Sequence, residues 1–171
     1  TTSQPTMYRY LGQAIDLQTR GHKEQAVKEL ERAVESGLDH PAALYNLGLL
    51  QKELGEYDDA RKNLMAAIGH PDLAMGANLA LGRLARLDSN LQDSARYLMQ
   101  ALRLADSMTV GDQQSSELNH LYDTILASQS EGAEEELENI VARTLDFLSG
   151  PLWLQRLREA RKQLEGSGTA V

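Results

Sequence analysis

Tyr45-Asn46-Leu47-Gly48-Leu49-Leu50-Gln51-Lys52-Glu53-Leu54-Gly55-Glu56-Tyr57-Asp58-Asp59-Ala60 is the stretch on which the fold turns. It reads as two helices joined by a tight turn. Leu54-Gly55-Glu56 is the turn, because glycine enters the left-handed backbone region without a Cβ penalty and so ends a helix. Asp58 and Asp59 follow at the start of the second helix, where the helix dipole favours carboxylates. Gly48 and Ala60 are small, as two closely crossing helices require. Leu64 fills the core beside them, and Ala67 continues the same apolar stripe.

Shifting the chain against itself by 34 residues reproduces this pattern without a gap. The crossing position reads Ala14, Gly48 and Gly82. The turn position reads Gly21, Gly55 and Ser89. On the second helix the columns are Ala26, Ala60 and Ser94, then Leu30, Leu64 and Leu98. Ala33, Ala67 and Ala101 follow, then Val34, Ile68 and Leu102. Six columns that hold their size class through three copies mark a repeat architecture. Pro41 and Pro71 punctuate the copies, since proline is tolerated in the first turn of a helix.

On these residues the chain resembles a tetratricopeptide repeat. The second copy lies nearest the family pattern. The first has Gln13 where the second has Leu47, and Lys23 where the second has Tyr57; the third has Ser89 and Ser94. The resemblance runs from about Met7 to Ala105. It implies an all-α fold, a right-handed α-α superhelix of tetratricopeptide-like solenoid type. The expected organisation is a flexible N-terminus over 1–6 and three repeats over 7–108 (about 7–40, 41–74 and 75–108). A helical extension over 109–165 and a flexible tail over 166–171 follow. The family implies protein–protein recognition and little more specific than that.

In proteins of this kind the first helix of each repeat lines a concave groove. Carried over by the 34-residue offset, the resemblance places Tyr8, Leu11 and Ile15 there from the first copy, with Gln18 and Thr19. The second copy contributes Tyr45, Leu49 and Lys52, and the third Leu79, Arg83 and Arg86. The set is mostly apolar with a basic end, and Leu79, Arg83 and Arg86 share a helix face. It suits a peptide or helix with apolar anchors and some acidic character. The clamp with which some family members hold chaperone C-termini would fall on Leu11, Ile15, Asn46, Gly76 and Ala80. Only Asn46 matches and the cations are missing, so chaperone-tail binding is not expected.

The rest of the chain stays helical in pattern. After a break at Val110-Gly111-Asp112, Leu118, Leu121, Tyr122, Ile125 and Leu126 follow helical spacing, and a polar turn over Ser128 to Gly132 comes next. Leu137, Ile140, Val141, Thr144, Leu145 and Leu148 form a second apolar stripe, ended by Ser149-Gly150-Pro151. A last helix from about Leu152 to Leu164 aligns Trp153, Leu157, Ala160 and Leu164, with Trp153 as a core anchor. Arg158, Arg161 and Lys162 suit its negative C-terminal end. A solenoid needs its last apolar face covered, so these helices are expected to act as a cap.

Composition narrows the function classes. The chain of 171 residues has no cysteine, which excludes disulfides, thiolate metal sites and a cysteine nucleophile. The net charge is −8, a poor match to nucleic acid, which needs clustered cations. The stretch 111–150 alone carries −8, against −2 before it and +2 after it. Glu134-Glu135-Glu136 with Glu138 reads as a helix N-terminus rather than a metal site. His22, His40, His70 and His120 are dispersed, and no metal-binding, P-loop or nucleophile-elbow motif occurs. No catalytic residue, metal or cofactor is therefore expected. No apolar run is long enough to span a membrane. Thr1-Thr2-Ser3-Gln4-Pro5-Thr6 does not read as a signal peptide, which leaves a cytoplasmic expectation.

The function expected is thus a non-enzymatic interaction module or scaffold. Two alternatives stand beside it. The acidic segment and the basic last helix could pair between copies in a homo-oligomer. Alternatively, the start without methionine and the Gly/Ser-rich tail fit a docking or regulatory portion of a longer signalling protein.

Overall fold

The computed structural model of the protein describes residues 4–108 and 134–167. The stripe at Leu118–Leu126, its flanking turns and His120 lie outside the described residues. Among those described, the secondary structure is entirely helical: α1 (Gln4–Thr19), α2 (Lys23–Glu35), α3 (Pro41–Glu53), α4 (Tyr57–Ala67), α5 (Ala74–Leu87), α6 (Leu91–Ser107), α7 (Glu134–Leu148) and α8 (Trp153–Ser167). The chain divides into two compact units, one ending at Leu84 and one beginning at Ala85.

In the first unit, α1 packs on α2, α3 on α4, and α2 on α3. The repeat columns are what these hairpins bury. Ala26, Ala33, Ala60, Leu64 and Ala67 are wholly inaccessible, and Leu30 and Ala14 nearly so. Leu47 and Leu50 join Ala14, Ala26, Val27 and Leu30 in one cluster, with Leu11, Leu17, Val34 and Leu54 packed around it. A Cβ added at Gly48 would lie 2.9 Å from Leu64 Cγ and 3.2 Å from the Ala60 carbonyl oxygen. The α3–α4 crossing therefore needs glycine at Gly48. Pro41 opens α3, and the His40 imidazole caps it by accepting from the Ala42 N–H at 3.2 Å.

The turn column repeats down to individual hydrogen bonds. Gly21 and Gly55 have φ of 82° and 81°, and Ser89 takes the same left-handed conformation at 59°. The next N–H then reaches back five residues at 2.9 Å in each copy: His22 to Leu17, Glu56 to Gln51 and Asn90 to Ala85. This pattern satisfies carbonyls at the helix end that would otherwise lack a donor. Ser89 bears a Cβ in a region that penalises one. Ser89→Gly is expected to raise stability by about 0.5–1 kcal/mol. An unchanged or lower urea midpoint would count against a left-handed Ser89.

Sequence reasoning missed a polar junction at the heart of this unit. Gln51 on α3 is almost wholly buried. It donates to Glu31 Oε1 on α2 at 3.1 Å and accepts from Asn63 Nδ2 on α4 at 2.7 Å. Three helices are thereby tied at one residue, in a place where an unpaired amide would be costly.

In the second unit, α6 packs on α7 and α7 on α8. Ser94, Leu98 and Ala101 of α6 are wholly inaccessible, as the repeat columns require. On α7 the buried residues are Leu137, Val141, Thr144, Leu145 and Leu148, the expected stripe except for Ile140, which is half-buried. Gly150, with φ 79°, follows the end of α7.

Three expectations change. The first helix begins at Gln4, inside the stretch expected to be flexible. Trp153 is only half-buried at the start of α8, and among the described side chains of that helix Leu157 is the buried one. The last helix continues to Ser167, so Arg158, Arg161 and Lys162 lie before its last turn, which holds no basic residue. The cation that meets the end of α7 is Arg156. Its guanidinium donates to the carbonyls of Phe147 (3.0 Å), Asp146 (3.4 Å) and Ser149, capping α7 from α8.

Candidate interaction surface

Of the residues assigned to the groove, all but Arg86 lie in the first unit, on α1, α3 and α5. Tyr8 and Ile15 stand on one face of α1 and are more than half exposed, at 58% and 55%, a large apolar area to leave in water. Leu11, between them, is partly covered because it also packs on the hairpin core. Thr19 turns back on its own helix, its hydroxyl donating to the Ile15 carbonyl at 2.8 Å.

Gln18 and Asn46 form a reciprocal amide pair between α1 and α3. The Gln18 amide donates to Asn46 Oδ1 at 3.2 Å, and Asn46 Nδ2 donates to Gln18 Oε1 at 2.9 Å. Asn46, the single match to the chaperone-tail clamp, is thus engaged within the repeat scaffold. Lys23 and Glu53 form an ion pair between α2 and α3.

Tyr45, Leu49 and Lys52 are one or two turns apart on α3, and all three are half-buried, as are Leu79 and Arg83 on α5. The Tyr45 ring lies across to α5, with its hydroxyl against Gly76. Burial pushes the Tyr45 phenol above its ordinary value, and the Arg83 charge works against that rise. Lys52 is held below the ordinary lysine value by burial and then by Arg83, with Glu53 opposing. Arg83 thus acts electrostatically on both Tyr45 and Lys52.

The sign of the Lys52 shift gives a prediction. A lysine whose folded pKa is depressed binds its proton more strongly when unfolded. Its penalty to folding is full at neutral pH and fades as pH rises through the folded value towards 10.5. Solvent screening of a half-exposed group keeps the effect small. Lys52→Gln is expected to stabilise by about 0.5 kcal/mol at neutral pH, and the gain should shrink on the alkaline side. Urea midpoints of both proteins across that range test this.

Arg86 belongs to the second unit. Its guanidinium forms an ion pair with Glu138 of α7 at 2.6 Å. This partner was not legible in the sequence, because 52 residues separate the two. No group of three or more His, Asp or Glu among the described residues is placed to hold a metal ion. No helix among them is long and apolar enough to cross a membrane.

Comparison with known families agrees with the geometry. A family model described as tetratricopeptide repeat matches residues 11–62 and 49–108. Comparison with curated proteins finds no match.

Proposed function

The chain belongs to the tetratricopeptide repeat family, and from that premise we propose that it is a non-enzymatic interaction module whose repeat face holds a peptide or helix of a partner protein. Proteins of this family generally mediate protein–protein contacts, and the fold is typically a scaffold rather than a catalyst. The observation that carries the finer reading is the composition of the α3–α5 surface. Half-buried Leu49 lies on α3 with Lys52, whose charge is disfavoured by burial and by Arg83, and half-buried Leu79 lies on α5 with Arg83 itself. An acidic group of the partner would suit the positive charge of Lys52 and Arg83, while Leu49, Leu79 and the exposed Ile15 would take apolar side chains. Such a division between buried anchors and charged rim is how peptide-recognition surfaces combine affinity with specificity.

The test is affinity capture from source lysate with the intact chain and with Leu49→Glu/Arg83→Glu, after circular dichroism has verified that the variant is folded. A partner retained by the first and lost by the second is expected, with binding that weakens as salt rises. A partner held equally by both would sink the assignment of this face.

A further inference from the structure

We propose that Gly76 is a positioning residue for the interaction surface: its missing side chain is the seat of the Tyr45 ring, and this seating keeps the ring off the space over Leu49 and Leu79. The inference rests on the reading of that face as the binding surface.

Gly76 is the third residue of α5, and its backbone is not in the left-handed region that favours glycine. No turn requires glycine there, and glycine weakens a helix. The equivalent positions in the other two copies carry side chains, Tyr8 and Ala42, both exposed. What distinguishes Gly76 is its neighbour. A Cβ built on it would lie 2.2 Å from Tyr45 Oη, 3.1 Å from Cζ and 3.5 Å from Cε2. The first distance is impossible for real atoms, so a substitution must move something.

The element that moves follows from which atoms are hit. At Gly48 an added Cβ meets the Ala60 backbone carbonyl and the branch carbon of Leu64, neither of which can swing away. At Gly76 it meets the tip of a tyrosine, the far end of a rotatable side chain. The ring therefore leaves its seat while the helices stay. Tyr45 and Leu49 share a face of α3, and Gly76 and Leu79 a face of α5, by their spacings of four and three. A ring displaced from between these helices swings towards that face and covers it.

The absence of cysteine makes a clean test possible, since Leu79→Cys carries the only thiol of the chain. The probe is Ellman's reagent, an anionic aromatic disulfide, reacted with that thiol. Adding Gly76→Ala should slow the reaction several-fold, and adding Tyr45→Ala on top should restore the rate, a rescue that a general folding defect would not give. Tyrosine-labelled NMR of the Gly76→Ala protein should show the Tyr45 ring resonances shifted from their positions in the unsubstituted protein. An unmoved Tyr45 overturns the seating. A moved Tyr45 with an unchanged thiol rate, or a slowed rate that Tyr45→Ala does not restore, overturns the gating. Neither result touches the capture experiment, which judges the binding face on its own.

Discussion

Leu64→Ala is expected to destabilise the protein by about 3–4 kcal/mol, within the usual range for emptying a fully buried leucine site. Leu64 is wholly inaccessible, and it sits at the α3–α4 crossing between Ala60 and Ala67. Its branch carbon is also the nearest atom to the missing side chain of Gly48. The void left by alanine would face Gly48, which has no side chain to fill it. Urea denaturation followed by far-UV circular dichroism measures the loss. A change below about 1 kcal/mol would mean that the hairpin closes over the void, and that the crossing is looser than its distances indicate.

Gly48→Leu attacks the same crossing from the other side. Forcing a side chain into a space with 2.9 Å to Leu64 Cγ and 3.2 Å to the Ala60 carbonyl requires the helices to part. Overpacking of this kind costs up to about 3 kcal/mol. The better helix propensity of leucine offsets less than about 1 kcal/mol of that, leaving a net loss of about 2 kcal/mol. The two substitutions should not be additive. With Leu64→Ala in place, two of the three atoms that crowd position 48 are gone, so Gly48→Leu should cost at least about 1 kcal/mol less than it does alone. Full additivity would show that the Ala60 carbonyl, and not the Leu64 side chain, sets the spacing. The first hairpin accommodates Ala14 in the same column, so the column does not demand glycine in every copy.

Much of the repeat fold was legible because its signals are local or periodic. A helix end needs a left-handed residue, and Gly21 and Gly55 announce it. Ser89 could be assigned the same role only because it stands 34 residues from Gly55. Buried columns such as Leu30, Leu64 and Leu98 follow from one face of each second helix being covered in the same way in every copy. The C-terminal stripe on α7 was readable on the same grounds.

The misses share a cause. Gln51 looked like any polar residue, since nothing near it in sequence reveals that Glu31 and Asn63 converge on its amide from two other helices. Arg156 caps α7 from α8, whereas charge placement along α8 alone pointed to Arg158, Arg161 and Lys162. Trp153 was assigned to the core by its alignment with Leu157, Ala160 and Leu164, but at the start of α8 it is half-buried.

The candidate surface divides along the same line. The assignment of Tyr45, Leu49 and Lys52 to a groove came from the family resemblance. Sequence periodicity by itself determined the helical hairpins, their turns and their small crossing residues. These depend on the 3.6-residue period and on backbone conformation, both of which each segment expresses alone. Only the tertiary structure decided that Lys52 feels the charge of Arg83, that Asn46 is engaged by Gln18, that Arg86 is paired with Glu138, and that the Tyr45 ring rests on Gly76. Each of these joins residues of different helices through space. Charge effects and van der Waals contact depend on distances between side chains, which are not set until the helices have packed.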